Sequence, residues 1–138
     1  MTEGIKKEST AKDIAMEYVQ RIWDEKDMTA IDTLMAEEIV IHSSFGYYQG
    51  RAKMREVVSA YYSAFPDLKV SNDFIISEGD KTMIHWQASG THLGNFKELP
   101  PRGKKISYTG VTIYRTAHEK IVEYWAYVDL HYLMQQLK

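Results

Sequence analysis

A run in which both alternating sets of side chains are apolar constrains this chain more than anything else in it. Lys120-Ile-Val-Glu-Tyr-Trp-Ala-Tyr-Val128 is β-branched or aromatic at nearly every position after Lys120, which reads as a strand buried on both faces. Strict alternation places Ile121, Trp125 and Tyr127 on one side. Val122, Tyr124, Ala126 and Val128 then take the other. Asp129 ends the run, where a cavity can open. A charged carboxylate among indole and phenol groups is costly, which would favour its protonated form and suit it to proton transfer. The competing reading is an exposed helix cap, because Asp is a favoured N-cap and Leu130 to Leu137 reads as a short closing helix.

Upstream, Thr10-Ala-Lys-Asp13 has the form of a capping box. Ile14, Ala15, Tyr18, Val19 and Ile22 follow at helical steps, so a helix is expected to about Asp24. Asp27 to Met35 reads as a second, short helix and Ile39 to Ser43 as a strand. Gly46 to Gly50 reads as a loop. Met54, Val57, Val58, Tyr61, Tyr62 and Phe65 mark a third helix that Pro66-Asp67 stops. The period then changes from 3.6 to 2, giving strands at about Leu68–Glu78, Thr82–His92, Lys105–Thr116 and Lys120–Val128. Gly79-Asp80 and Ala117-His-Glu119 are hairpin turns between them.

Helices followed by an antiparallel meander make an α+β fold, with three helices on the concave face of a curved sheet and a short C-terminal helix. The 138 residues form one domain, 1–138. Three helices cannot cover both faces of such a sheet. An apolar second face is rarely left in water, so a homodimer through the sheet is expected.

Composition removes several classes of function. A net charge of −2 argues against nucleic acid or an anionic membrane as the main partner. The absence of cysteine excludes disulfides, thiol catalysis and thiolate metal sites. No run is long and apolar enough to span a bilayer. Met1-Thr-Glu-Gly-Ile-Lys-Lys-Glu8 offers no signal-like stretch, so a cytoplasmic protein is expected. His42, His85, His92, His118 and His131 show no metal-ligand spacing. Neither a metal nor a cofactor is expected. Ten tyrosines and three tryptophans suit a pocket lined with rings.

Gly50-Arg-Ala-Lys-Met-Arg-Glu-Val-Val58, Ala64-Phe-Pro-Asp-Leu68, Gly90-Thr-His-Leu-Gly94, Lys120 to Trp125 with Asp129, and Gln135-Gln-Leu137 occur in this order. Together they resemble the SnoaL-like polyketide cyclases, also called ester cyclases. That family lies within the superfamily of cone-shaped α+β barrels that includes nuclear transport factor two. The resemblance implies an aspartate at the position of Asp129 acting as general acid/base in an intramolecular aldol closure, without metal or cofactor. It implies lyase- or isomerase-type chemistry on a small hydrophobic or aromatic carbonyl compound. Two alternatives stand beside it: a non-catalytic binder of small hydrophobic ligands, and a cofactor-independent hydroxylase of polycyclic aromatics.

Further site candidates come from position and parity. His92 shares parity with Trp86, so if Trp86 faces the cone His92 would too and would contact a substrate carbonyl. A histidine tied to rim backbone is the alternative. His42 ends the first predicted strand, beside a loop where Tyr47 would stack on a planar ligand. An exposed loop histidine is the alternative there. Trp86 and Trp125 would form walls, and Tyr108 would offer a hydroxyl. Tyr18 and Met54 lie in helix stripes and read as core.

Overall fold

The first helix starts where its cap predicts. Thr10 and Asp13 exchange side-chain-to-backbone hydrogen bonds of 3.1 Å each, and helix α1 (Ala11–Val19) follows. It continues through a π-helical turn, Gln20–Asp24, whose carbonyls at Ile22 and Trp23 accept the Tyr62 hydroxyl at 2.9 and 3.2 Å. The computed structural model describes residues 9–138, so the N-terminal segment read above for a signal sequence lies outside the described residues. Helix α2 is Thr29–Leu34, α3 is Arg51–Ala64 and α4 is Leu130–Leu137. The strands are β1 (Met35–Ser43), β2 (Gly46–Gln49), β3 (Lys69–Glu78), β4 (Lys81–Thr91), β5 (Lys105–Ala117) and β6 (Lys120–Val128).

They form one six-stranded sheet in the order β2-β1-β6-β5-β4-β3. Only the β1–β6 pair is parallel. The α+β class holds, with one adjustment at the first strand. It begins at Met35 and returns as a hairpin, so Gly46–Gln49 is a strand where a loop was expected. The β5–β6 turn is tight, with Ala117 paired to Lys120 and both His118 and Glu119 at positive φ. Such a turn matches the right-handed twist of its strands.

Four of the five short motifs fasten this frame. Arg51 donates from Nε and Nη2 to the Met35 carbonyl at 3.0 and 2.7 Å, tying the start of α3 to the start of β1. At its other end, Asp67 accepts from the Thr91 N–H and the Thr91 hydroxyl, both at 2.7 Å. A side chain at Gly90 would meet Phe65 Cβ at 3.1 Å, and one at Gly94 would collide with the Ser63 carbonyl. The Phe-Pro-Asp-Leu and Gly-Thr-His-x-Gly segments are therefore two halves of one clasp. Gln136 closes the far end, accepting from Ser107 N–H at 3.0 Å and donating to its carbonyl at 2.6 Å. It supplies what a strand neighbour would, since β6 pairs with β5 only as far as Gly110.

Faces are set by bulges. Between the pairs Arg115↔Glu123 and Thr116↔Ile121 the register slips, which leaves Val122 as the extra residue. Ile121 and Tyr124 are buried beneath the helices, while Glu123, Trp125 and Tyr127 share the opposite face. The division of β6 expected from alternation is corrected accordingly. Ile121 parts from Trp125, and Tyr124 faces inward.

The clasp generates two tests. Gly94→Ala forces a backbone displacement and is expected to destabilise by roughly 2–3 kcal/mol in chemical denaturation, as overpacking does. The Thr91 hydroxyl, and after it the Thr91 N–H, hold the Asp67 carboxyl below its ordinary value. A depressed carboxylate contributes stability that is whole above the unfolded value of about 4 and is lost as pH falls through the folded one. Asp67→Asn is therefore expected to melt a few degrees below wild type at pH 7, with the gap closing in acid. A gap that stays constant with pH would count against this assignment.

Candidate functional site

Between the helices and the sheet lies a cavity of about 60 Å³. Helix α1 contributes Tyr18 and Val19, α3 contributes Met54, Val57, Val58 and Tyr61, and the sheet supplies Trp86, Tyr108, Thr112, Tyr114 and Tyr124. Ala126 and Val128 continue the wall along β6. The volume is below the ~150 Å³ of an engineered apolar cavity that admits benzene. Even a one-ring ligand must move half-buried walls such as Trp23.

Aromatic packing sets the shape of this space. Tyr61 stacks on Tyr108 at 6.3 Å between centroids, and Trp86 stands edge-on to Tyr108 at 5.7 Å. Gly110 makes room for Trp86, since a side chain there would strike the indole. The indole N–H then donates to the Thr112 hydroxyl at 2.9 Å, which fixes the ring. On the other side Tyr114 lies near-parallel to Tyr124 at 6.0 Å and receives Tyr18 edge-on at 5.8 Å. Burial pushes Tyr61 up to about 12 and drives Tyr18, Tyr108, Tyr114 and Tyr124 well above the ordinary phenol value. The phenols are thus neutral hydrogen-bonding groups at any ordinary pH. No Asp, Glu, His, Lys or Arg is among the described residues of the lining.

Trp86 and Tyr108 stand where the sequence put them. The other predicted site residues do not. Asp129 is exposed and caps α4, its Oδ1 accepting the Tyr132 N–H at 3.3 Å. The burial on which its perturbed-acid reading rested is absent. His92 is wholly buried but outside the lining, because β4 ends at Thr91 and the chain turns to bond Leu93 and Gly94 N–H to the Ala64 carbonyl. Its ring packs on Phe65 at 5.8 Å, and neither ring nitrogen has a partner among the described residues.

His42, Tyr47 and Trp125 do come together, on the face opposite the cavity. His42 lies parallel to Trp125 at 5.1 Å and edge-on to Tyr47 at 5.3 Å. The imidazole Nε2 meets Glu123 Oε2 at 2.8 Å, and Arg115 reaches Glu123 Oε1 at 3.0 Å. His42 first, and Arg115 after it, hold the Glu123 carboxyl below its ordinary value against partial burial. Trp125 is therefore no wall of the cavity, and His42 and Tyr47 do not line it. Among the described residues no group of three or more His, Asp or Glu could hold a metal ion. No helix of the described residues is long and apolar enough to cross a membrane.

Residues 13–137 match the family model of the SnoaL-like polyketide cyclases. The chain belongs to the SnoaL-like polyketide cyclase family. AclR of Streptomyces galilaeus, a candidate hydroxylase, superposes with a TM-score of 0.81 at 27% identity over 92% of this chain and 94% of its own. A candidate polyketide cyclase from Acidithiobacillus ferrooxidans gives 0.80 at 25% identity over 96% and 97%. A candidate SnoaL-like cyclase from Jannaschia sp. CCS1 gives 0.83 over 96% of both chains. At 21% identity the Jannaschia likeness speaks for the fold alone. No curated protein matches the chain.

The sequence missed Tyr18, Tyr61, Tyr114 and Tyr124 as cavity residues. A phenol in a helix stripe or an inward strand position looks like core, and only the excess of tyrosine hinted otherwise. The cap assignment has its own test. Asp129→Ala is expected to cost about 1 kcal/mol, the usual worth of a side-chain N-cap, in denaturant unfolding. No loss would show that α4 does not depend on the cap.

Proposed function

We propose that this SnoaL-like protein takes an uncharged hydrophobic or aromatic carbonyl compound into the phenol-lined cavity and promotes cofactor-independent proton transfer on it, as in an aldol-type closure. The observation that carries the ligand class is the lining itself, rings and aliphatic groups with neutral hydroxyls and no charged side chain. An ion placed there would lose its hydration with nothing opposite in charge to meet it. Asp129 is the acid/base in this reading. It directly follows Val128, a lining residue, and its N–H is bonded to the Thr109 carbonyl, next to lining Tyr108.

A second reading, ligand binding without turnover, is favoured by the absence of any carboxylate or imidazole from the described lining. The likeness to AclR, a candidate hydroxylase, supports hydroxylation as a further use of the same cavity. Asp129→Asn separates catalysis from binding, because Asn caps nearly as well as Asp and folding is preserved. Turnover of a cyclisable β-keto ester is expected to drop by roughly 10² to 10⁴ in that variant, the range for a positioned proton-transfer group. Unchanged turnover removes Asp129 from the mechanism. Tight binding of the ester by wild type with no product at all favours the binder.

The assembly proposed is a homodimer through the sheet face away from the helices. Register places Ile76, Met83, Ile113 and Trp125 in one row across it, and Phe74, His85, Val111 and Tyr127 in the next. Tyr127, Ile76 and Phe74 are 61%, 57% and 50% exposed in the protomer, an apolar band of the kind monomers seldom show to water. A two-fold contact needs only such a self-complementary patch. Because these three are exposed, Tyr127→Lys and Ile76→Lys leave the protomer core intact. Sedimentation is expected to show a dimer at micromolar concentration for wild type and a monomer for the double variant. A wild-type monomer would sink the assembly.

A further inference from the structure

Among the described residues some phenols find partners within the fold, and the fully enclosed Tyr18 hydroxyl does not. Tyr62 donates to two carbonyls of the π-helical turn and Tyr48 to the Phe45 carbonyl at 3.0 Å. The Tyr18 hydroxyl is fully enclosed and has no partner among the described residues. Tyr18 is 1% exposed, sits on the buried stripe of α1 and forms part of the cavity wall.

Packing does not account for that hydroxyl. The edge-on contact with Tyr114 at 5.8 Å belongs to the ring, and phenylalanine would keep it. A buried hydroxyl without a partner weakens the folded state, so phenylalanine at this position would serve the core better. A polar atom retained at such a cost, in the wall of a cavity, points to a partner that enters from outside the chain.

We propose that the Tyr18 hydroxyl is the polar contact of the cavity, donating a hydrogen bond to the carbonyl oxygen of the bound compound. It thereby selects carbonyl compounds over hydrocarbons of the same shape. The proposal rests on the cavity being the ligand site. A phenolic O–H is a better donor than acceptor, because its lone pairs are partly drawn into the ring, and a carbonyl offers acceptor capacity alone. Burial, with Tyr114, Tyr124 and Tyr62 nearby, keeps Tyr18 protonated and able to donate. The Trp86 indole N–H of the same wall is already committed to Thr112. A site built around one hydrogen bond discriminates sharply, since the wrong ligand leaves the buried group unpaired.

Acetophenone and α-methylstyrene test this, because they share a planar one-ring shape and differ in C=O against C=CH₂. Their dissociation constants are measured by NMR titration for wild type and Tyr18→Phe, with melting temperatures alongside. The ratio of acetophenone to α-methylstyrene affinity is expected to fall about tenfold in Tyr18→Phe, through weaker acetophenone binding alone, as loss of one buried hydrogen bond predicts. The variant is expected to melt at or above the wild-type temperature. An unchanged ratio, or a lower melting temperature with it, would mean that the hydroxyl serves the fold or an internal water, and overturns the proposal while leaving the cavity as the ligand site. Failure of wild type to bind either compound overturns both the proposal and the ligand class it rests on.

Discussion

Everything in the candidate site depends on where α3 lies, and α3 is fixed at both ends by hydrogen bonds to backbone it does not own. Arg51 grips the Met35 carbonyl at one end. At the other, Asp67 holds Thr91, and Gly90 and Gly94 let the helix end sit directly against the β4 terminus. Between these anchors Met54, Val57, Val58 and Tyr61 face the sheet and roof the cavity. A helix with one loose end would let Tyr61 drift from Tyr108, and the stacked pair that shapes the cavity would be lost. The sequence motifs that mark this family are thus largely fastenings. They hold the frame, and the chemistry is left to side chains around it.

That division explains what could be read in advance. The helix stripes, the change of period after Pro66 and the turn residues at Gly79-Asp80 report local geometry, and the elements other than β1 and β2 appeared close to their expected bounds. The assignment of faces on β6 was not legible. One bulged residue, Val122, reverses parity for everything on one side of it, and nothing in the run of apolar side chains betrays a bulge. His92 failed for a related reason. Alternation along β4 holds only while the strand lasts, and the chain leaves the sheet after Thr91. Tyr18 was overlooked because a helix stripe cannot say whether a hydroxyl finds a partner. That is a property of the assembled interior.

The cavity then has an unusual electrostatic character for so polar a set of residues. Five of its tyrosines are buried enough to stay protonated far above physiological pH, so they present dipoles but no charge. Such a lining orients an uncharged ligand and stabilises charge that develops on its oxygen, yet it cannot remove a proton from carbon at neutral pH. In the proposed reading, recognition and proton abstraction therefore fall to different groups. The titratable groups near β6, Glu123 with His42 and Arg115, are on the far side of the sheet and already satisfy one another.

Asp129 directly follows Val128 of the cavity wall, and its cap does not disqualify it. The cap engages Oδ1 with the Tyr132 N–H, at 3.3 Å a long bond for this geometry. A carboxylate carries a second oxygen with its own lone pairs, so one can hold the helix while the other accepts a proton. The backbone around it is well fixed, with Asp129 N–H on the Thr109 carbonyl and α4 secured through Gln136. In the proposed reading, a ligand long enough to bring an activated carbon out past Val128 presents it to Asp129 while a more distant carbonyl of the same ligand stays among the phenols. In that reading the small cavity recognises the oxygen end of the substrate, and the reacting carbon is handled at its rim.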